Sequence, residues 1–330
     1  MTSPKWSAFD LAEAYQLARA VAVLNDLRVF ESQNPFTAKR LAAKHSLDPK
    51  LLSGVLEYVA RRSDLLRRRA GETFVASRSS SRTARFLIDL YIGTFGGSTA
   101  ELAGVLRYPG RAPASVDRVR QARAFAAVGS SSLGILPALI RALEFNYTLD
   151  LGCGNGELLL EMARRKPSFV GWGVDSNRAM IKLARTRLRD AGLDNRITFL
   201  PADCRQLRQT VPKSVRSRIQ SITCCNVANE MFGRGEFQAI NWFRELRELF
   251  PDRLLLNSDY YGRLGYGASR HFRQAERETL LHDYVQLISG QGVPPPSRTA
   301  WRSIYAQAGC RLVHVVEDTS TTRFIHILSL

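Results

Sequence analysis

Apolar residues recur at helical spacing over 8–31 (AFDLAEAYQLARAVAVLNDLRVFE), at Leu11, Ala14, Leu17, Ala18, Val21 and Leu24. The pattern predicts an amphipathic helix. Two further helices follow. Thr37 can cap a short one in NPFTAKRLAAKHSL. Asp48 and Pro49 open the next, DPKLLSGVLEYVARRSDLLRR, with proline at a first-turn position. GETFVAS reads as a short strand after a glycine turn. Three helices and a β-ribbon outline a winged helix. Residues 80–125 read as further helix with a loop near Tyr108–Pro113, and 131–145 as a helix leading into a strand.

From Tyr147 the pattern alternates. Strand YTLDLG precedes helix GELLLEMARRK, strand FVGWGVD, helix NRAMIKLARTRLRDAG and strand ITFLPAD. SITCCNVA (strand), EFQAINWFRELRELF (helix) and DRLLLNSD (strand) continue the series. The end, CRLVHVVEDTSTTRFIHILSL, reads as two β-runs around a polar turn, suited to an antiparallel hairpin. Strands alternating with helices predict an α/β, doubly wound, Rossmann-like sheet with an antiparallel last strand. The chain divides on this reading into 1–125, helical and winged-helix-like, and 126–330, the α/β domain.

Composition changes this picture little. The 330 residues are 45% hydrophobic and 23% charged, an ordinary globular balance. No apolar run approaches the roughly 18 to 20 residues that span a bilayer, and MTSPKWSAFDLAEAYQ lacks the basic region and apolar core of a secretory signal. A cytoplasmic location is expected. The five cysteines, Cys153, Cys204, Cys224, Cys225 and Cys310, form no CxxC and no zinc spacing. They read as reduced core thiols, and no metal is assigned. The net charge of +17 permits an acidic substrate or nucleic acid. Its densest cluster is RRSDLLRRR, Arg61–Arg69, with none of the basic and aromatic interleaving that grips single strands.

The chemistry concentrates at DLGCGNG, Asp150 to Gly156. Glycines between a strand and a helix permit positive φ and close ligand approach. The helix N-terminus adds free N–H groups. Asp175 ends the next strand, about 20 residues on, where a carboxylate can accept ribose hydroxyls. A dinucleotide site would want GxGxxG with room for a pyrophosphate. Here Glu157 stands where the diphosphate would lie, which suits a ligand with a cationic centre instead.

These residues resemble the class I S-adenosylmethionine-dependent methyltransferases. Asp150, Gly152, Gly154 and Gly156 match their first motif, Asp175 their ribose-binding acid, and Asp203 with Cys204 the acid near the adenine. Asn226 completes the expected cofactor set. The resemblance covers about 130–330 and implies S-adenosylmethionine as cofactor. With the region before it, the chain looks like the small-molecule O- and C-methyltransferases of natural-product pathways, whose N-terminal part makes a homodimer and closes over the substrate.

The resemblance also marks departures. Where O-methyltransferases carry a His-Asp pair with a basic histidine, this chain has Asn229-Glu230. Asparagine cannot take a proton; Glu230 can if its pKa is raised. His282 is a second candidate base. It also matches, loosely, one of the two metal-binding histidines of C-methyltransferases acting on 2-oxo acids, but the other ligand would fall near Asn229. Glu230, His282 and Asn229 are the catalytic candidates. Tyr260, Tyr261, Arg263 and His271 are suited to cover a small substrate, expected to be a biosynthetic intermediate of anionic or 2-oxo acid type. Two other classes are kept: an RNA methyltransferase steered by the basic charge, and a non-catalytic winged-helix DNA-binding regulator with a domain that senses S-adenosylmethionine.

Overall fold

A computed structural model describes residues 6–128, 134–265, 273–318 and 320–330. Among the described residues, ten strands form two sheets. The small one holds β1 (Phe36–Thr37), β2 (Leu66–Arg69) and β3 (Thr73–Ala76) in the order β1-β3-β2. The large one holds β4 (Tyr147–Leu151), β5 (Val170–Asp175), β6 (Ile197–Pro201), β7 (Ser221–Cys225), β8 (Leu254–Tyr260), β9 (Arg311–Glu317) and β10 (Arg323–Ser329).

The large sheet runs β6-β5-β4-β7-β8-β10-β9. Strands β4 to β8 pair in parallel, and β10 runs antiparallel to both of its neighbours. This is the expected α/β sheet. Its order reverses between β4 and β7, and a ligand crevice is expected there, outside the carboxyl ends of the strands. Helices Glu157–Arg165, Arg178–Asp190, Glu236–Leu249 and Arg298–Gln307 cover the two faces, so both are apolar cores. On β4 the period of two is visible: Leu149 and Leu151 pack in one core. Thr148 and Asp150 meet Ser221 and Thr223 of β7 through hydroxyl bonds of 2.9 and 2.7 Å.

The first helix runs Ala8–Asp26, shorter than the periodicity predicts, because Arg28 turns left-handed (φ 60°) and a 3-10 turn follows at Val29–Glu31. Thr37 Oγ1 accepts from Arg40 N at 3.2 Å, and Asp48 Oδ1 from Leu51 N at 2.7 Å, so both expected caps are made. The third helix, Pro49–Arg62, stops before the arginines of 67–69. Ser63 leaves helical geometry, and Leu66 turns inward to pair with Ala76. Arg67 and Arg68, helical by the sequence pattern, therefore lie with Arg69 on a strand, their side chains exposed. In 80–128 the long helical reading breaks into short pieces: Arg82–Leu87, a π turn at Ile88–Thr94, Gly96–Ala100, Leu102–Arg107, a 3-10 stretch at Pro109–Ser115 and Arg118–Val128. Residues 131–133 of the next predicted helix lie outside the described set; Leu136–Ala142 is helical. Among the described residues no helix is long and apolar enough to cross a membrane.

Candidate active site

At the carboxyl ends of β4, β5 and β7 lies a cleft lined by Asp150, Gly152, Gly154, Asp175, Cys204, Asn226 and Glu230, with Arg118, Gln121 and Phe125 on its outer wall. The glycines serve different ends. A Cβ on Gly152 would come 2.3 Å from Val227, and one on Gly156 would come 2.4 Å from Phe199, so these two allow the loop to pack down. Gly154, at φ +54°, has nothing within 4 Å of such a Cβ. Its missing side chain leaves open space in the cleft.

Asp175 holds the loop in place. Its Oδ2 accepts from Gly154 N at 2.8 Å and its Oδ1 from Asn177 N at 2.7 Å. Burial raises its pKa, and these two bonds and Arg118 oppose the rise. Asp150 is pushed to about 7, chiefly by burial. Glu157, read from the sequence as a bare acid, is buried in an ion pair with Arg187. Its charge is thus offset, and Asp150, Asp175 and Glu230 give the cleft its acidity.

The outer wall was not legible in the sequence. Arg118, Gln121 and Phe125 fall at i, i+3 and i+7 of one helix, so one face of Arg118–Val128 closes on the cleft. Asn177 latches it: its Nδ2 donates to Arg118 O at 2.8 Å, while its Oδ1 caps the helix Arg178–Asp190. From the other side, Asp89 and Asp26 bind Arg123. A spacing of one arginine, one glutamine and one phenylalanine carries no motif that would announce this role.

Asp203 does not line the cleft. Its carboxylate pairs with Arg205, with Nε–Oδ1 at 2.9 Å, while Cys204 beside it reaches the wall. Asn226 is left-handed (φ 54°), and its Oδ1 accepts from Arg323 Nη1 at 2.9 Å.

Glu230 stands at the cleft's inner end, its pKa raised to about 7 by burial, with Arg118 pulling the other way. Asn229 is buried behind it, and its backbone N–H donates to Asp259 Oδ2 at 3.0 Å. His282, on the helix Gln274–Ile288, packs edge-on against Tyr260 with ring centroids 5.3 Å apart. Its Nδ1 is 3.3 Å from Tyr91 Oη and its Nε2 is 3.2 Å from Gln286 Nε2. Burial, then the charge of Arg323, lowers its pKa to about 4, so the ring is neutral near pH 7. The structure thus brings Asn229, Tyr260 and His282 together beside Glu230.

Other candidates lie apart. Tyr261 points to the opposite side of β8, where its Oη donates to Glu317 Oε1 at 2.5 Å beside His326. Arg263 spends its Nη1 on the carbonyls of Gly262 and Pro296, at 3.0 and 3.2 Å. His271 lies outside the described residues. Among the described residues no group of three or more His, Cys, Asp or Glu side chains could hold a metal ion.

Comparison with known proteins agrees with this geometry. Residues 148–248 match the family model described as a methyltransferase domain. A methyltransferase of Aspergillus campestris is 25% identical over 177 residues, 52% of this chain and 50% of its own length. The chain thus spans about half the length of that curated relative. Among solved structures, a mitomycin 7-O-methyltransferase is similar over 97% of this chain and 96% of its own, with a TM-score of 0.72 and 19% identity. A methyltransferase of calicheamicin biosynthesis with bound S-adenosylhomocysteine is similar over 97% of this chain and 96% of its own, at TM-score 0.60 and 20% identity. At these identities the two structures establish the fold.

Proposed function

We propose that this chain, whose residues 148–248 match a methyltransferase-domain model, moves a methyl group from S-adenosylmethionine to a small biosynthetic acceptor. The observation that carries the reading is the pairing of an open Gly154 with Asp175 in an acid-lined cleft. A left-handed glycine without neighbours lets a ligand lie against the backbone. The carboxylate beside it fits ribose hydroxyls, and Asp150 and Glu230 favour a cationic centre over a pyrophosphate.

When bound, S-adenosylmethionine supplies a methyl group already activated by its sulfonium. The chain's residues provide position and proton handling. Asp175 holds the ribose, and Asp150, Gly152, Gly154, Cys204 and Asn226 form the wall around the rest. Gln121 and Phe125 cover the outer side and exclude water. Glu230 takes the acceptor's proton: with a pKa near 7 it is charged in about half the molecules at neutral pH and is a competent base there. Asn229 cannot titrate and acts as a hydrogen-bonding partner. His282 is neutral, and with its protonated form disfavoured by burial its role is to orient Tyr260.

The N-terminal region, 1–125, fits a winged-helix-like cap that self-associates. Phe9, Leu11 and Tyr15 of the first helix are 72%, 58% and 57% exposed, a surface suited to a second copy. Light scattering at micromolar concentration should give twice the 37.0 kDa chain mass.

The test of activity is transfer of labelled methyl from S-adenosylmethionine to a panel of phenols, aromatic amines and hydroxy acids, with bulk tRNA alongside. Label in the organic phase is expected. Label only in tRNA would move the acceptor to nucleic acid, and label nowhere would argue against transfer.

A further inference from the structure

Five buried polar side-chain atoms without a protein partner gather beside the cleft: Asn229 Nδ2 and Oδ1, Tyr260 Oη, Asp283 Oδ1 and Gln286 Oε1. Their residues are 1%, 3%, 0% and 5% exposed. Buried polar groups are almost always paired, so such a concentration calls for a ligand or ordered water. The four residues come from three places. Asn229 lies on the turn after β7, Tyr260 ends β8, and Asp283 and Gln286 are on the helix Gln274–Ile288. His282 ties them together, with its ring on Tyr260 and its Nε2 near Gln286 Nε2. Asn229 adjoins Glu230, which lines the cofactor cleft.

The open valences are unequal. Asp283 Oδ2 already accepts from the backbone N–H groups of Arg263 and Leu264, so Oδ1 is the free acceptor. Gln286 directs its Nε2 at His282, leaving Oε1 free. Tyr260 Oη lies near both Asp283 and Asn229. A small shift would let it donate to Asp283 and accept from Asn229 Nδ2. Even then Gln286 Oε1 and Asn229 Oδ1, two acceptors, stay open. Two cations act on the cluster. Arg263 opposes the burial-driven rise in the Asp283 pKa but is engaged by the Gly262 and Pro296 carbonyls and by Glu276. The exposed Arg323, which acts on His282, bonds Asn226 Oδ1.

We infer that this cluster receives the acceptor substrate and selects one bearing hydroxyl or amino donors, not a carboxylate. The inference rests on the methyltransferase reading and replaces the anionic or 2-oxo acid acceptor expected from sequence. Open acceptor atoms flanked by the Asp283 carboxylate welcome N–H and O–H groups and repel a second carboxylate.

The test is ligand-observed NMR on the full chain loaded with S-adenosylhomocysteine, using resorcinol, benzoate and 1,3-dimethoxybenzene as probes. Resorcinol should bind at least tenfold more tightly than either other probe. Gln286→Leu should weaken resorcinol about tenfold. Asp283→Asn keeps an oxygen for the two backbone N–H groups and turns an amide N–H₂ toward the other unpaired atoms, so it should weaken resorcinol and improve benzoate. Equal binding of the probes, preference for benzoate in the unaltered chain, no probe binding, or ordered water alone in a high-resolution structure would overturn the inference. S-Adenosylhomocysteine titrated on the same samples separates the two readings. If it binds while the probes show no preference, only this inference falls; if it fails to bind, the methyltransferase reading falls as well.

Discussion

Two glycines two residues apart should respond differently to alanine, one mainly in stability and the other mainly in binding. At Gly156 a Cβ would sit 2.4 Å from Phe199 Cζ, 2.9 Å from its Cε1 and 3.2 Å from Ala184 Cβ, at φ +76°. The left-handed conformation costs an alanine about 1–2 kcal/mol, and forcing a methyl into a packed core adds about 1–3 kcal/mol. Gly156→Ala should therefore lose about 2–5 kcal/mol. That is a fall in Tm on the order of 4–20 °C, at about 2–4 °C per kcal/mol. Gly154→Ala pays only the conformational term, since nothing lies within 4 Å. Its Tm should fall by only about 2–8 °C, from the same 1–2 kcal/mol. Its methyl enters the space assigned to the cofactor, so affinity for S-adenosylhomocysteine should drop at least tenfold, or about 1.4 kcal/mol. Scanning calorimetry and titration calorimetry read the two quantities separately. The reasoning is refuted if Gly154→Ala melts as low as Gly156→Ala, or if it binds S-adenosylhomocysteine as well as the parent chain.

Glu230 must be charged to take a proton, so kcat should climb as pH rises through about 7 and level off above it, and Glu230→Gln should abolish that limb. Asp150 titrates in the same range but faces the cofactor, so its influence belongs in the KM for S-adenosylmethionine and is told apart by measuring both constants. The charge of Arg118 lowers the pKa values of both Asp175 and Glu230; Arg118→Met should shift the rising limb of the pH–kcat profile to higher pH. Trp301 is fully buried among Phe232, Tyr305 and Phe324, with ring centroids 5.3 to 5.7 Å away, and Trp301→Ala should cost about 3–5 kcal/mol in denaturant unfolding.

The α/β half was legible because its signals are local. The alternation of apolar runs with 3.6-period helices placed β4 through β8, and the glycines of DLGCGNG marked the turn that the loop makes. Boundaries failed where tertiary pairing overrode propensity. LLRRR continues a helical pattern, yet Leu66 reaches a core partner only as a strand against Ala76. The first helix stops at Asp26 because the chain must turn for Val29 and Phe30 to enter the core. In the site, Asp150, Gly152, Gly154 and Asp175 of the motifs line the cleft, but Asp203 turns to Arg205; of the residues read by composition, Tyr260 reaches His282 and Tyr261 does not. Tyr260 ends β8 and Tyr261 follows it with its side chain turned the other way, to Glu317, so only one faces His282. The covering helix went unseen because Arg118, Gln121 and Phe125 gain their meaning from a partner nearly 60 residues on, Asn177. The neutralisation of Glu157 by Arg187 is likewise a contact across 30 residues that no spacing rule reports.

The central claim is that the cleft between β4 and β7 takes S-adenosylmethionine with its ribose on Asp175. Titration calorimetry with S-adenosylhomocysteine, run beside NAD and repeated on Asp175→Ala, tests it most directly. The account predicts saturable binding of S-adenosylhomocysteine, none of NAD, and a loss of at least tenfold in the variant. Binding of NAD in preference, or S-adenosylhomocysteine binding untouched by Asp175→Ala, would contradict it.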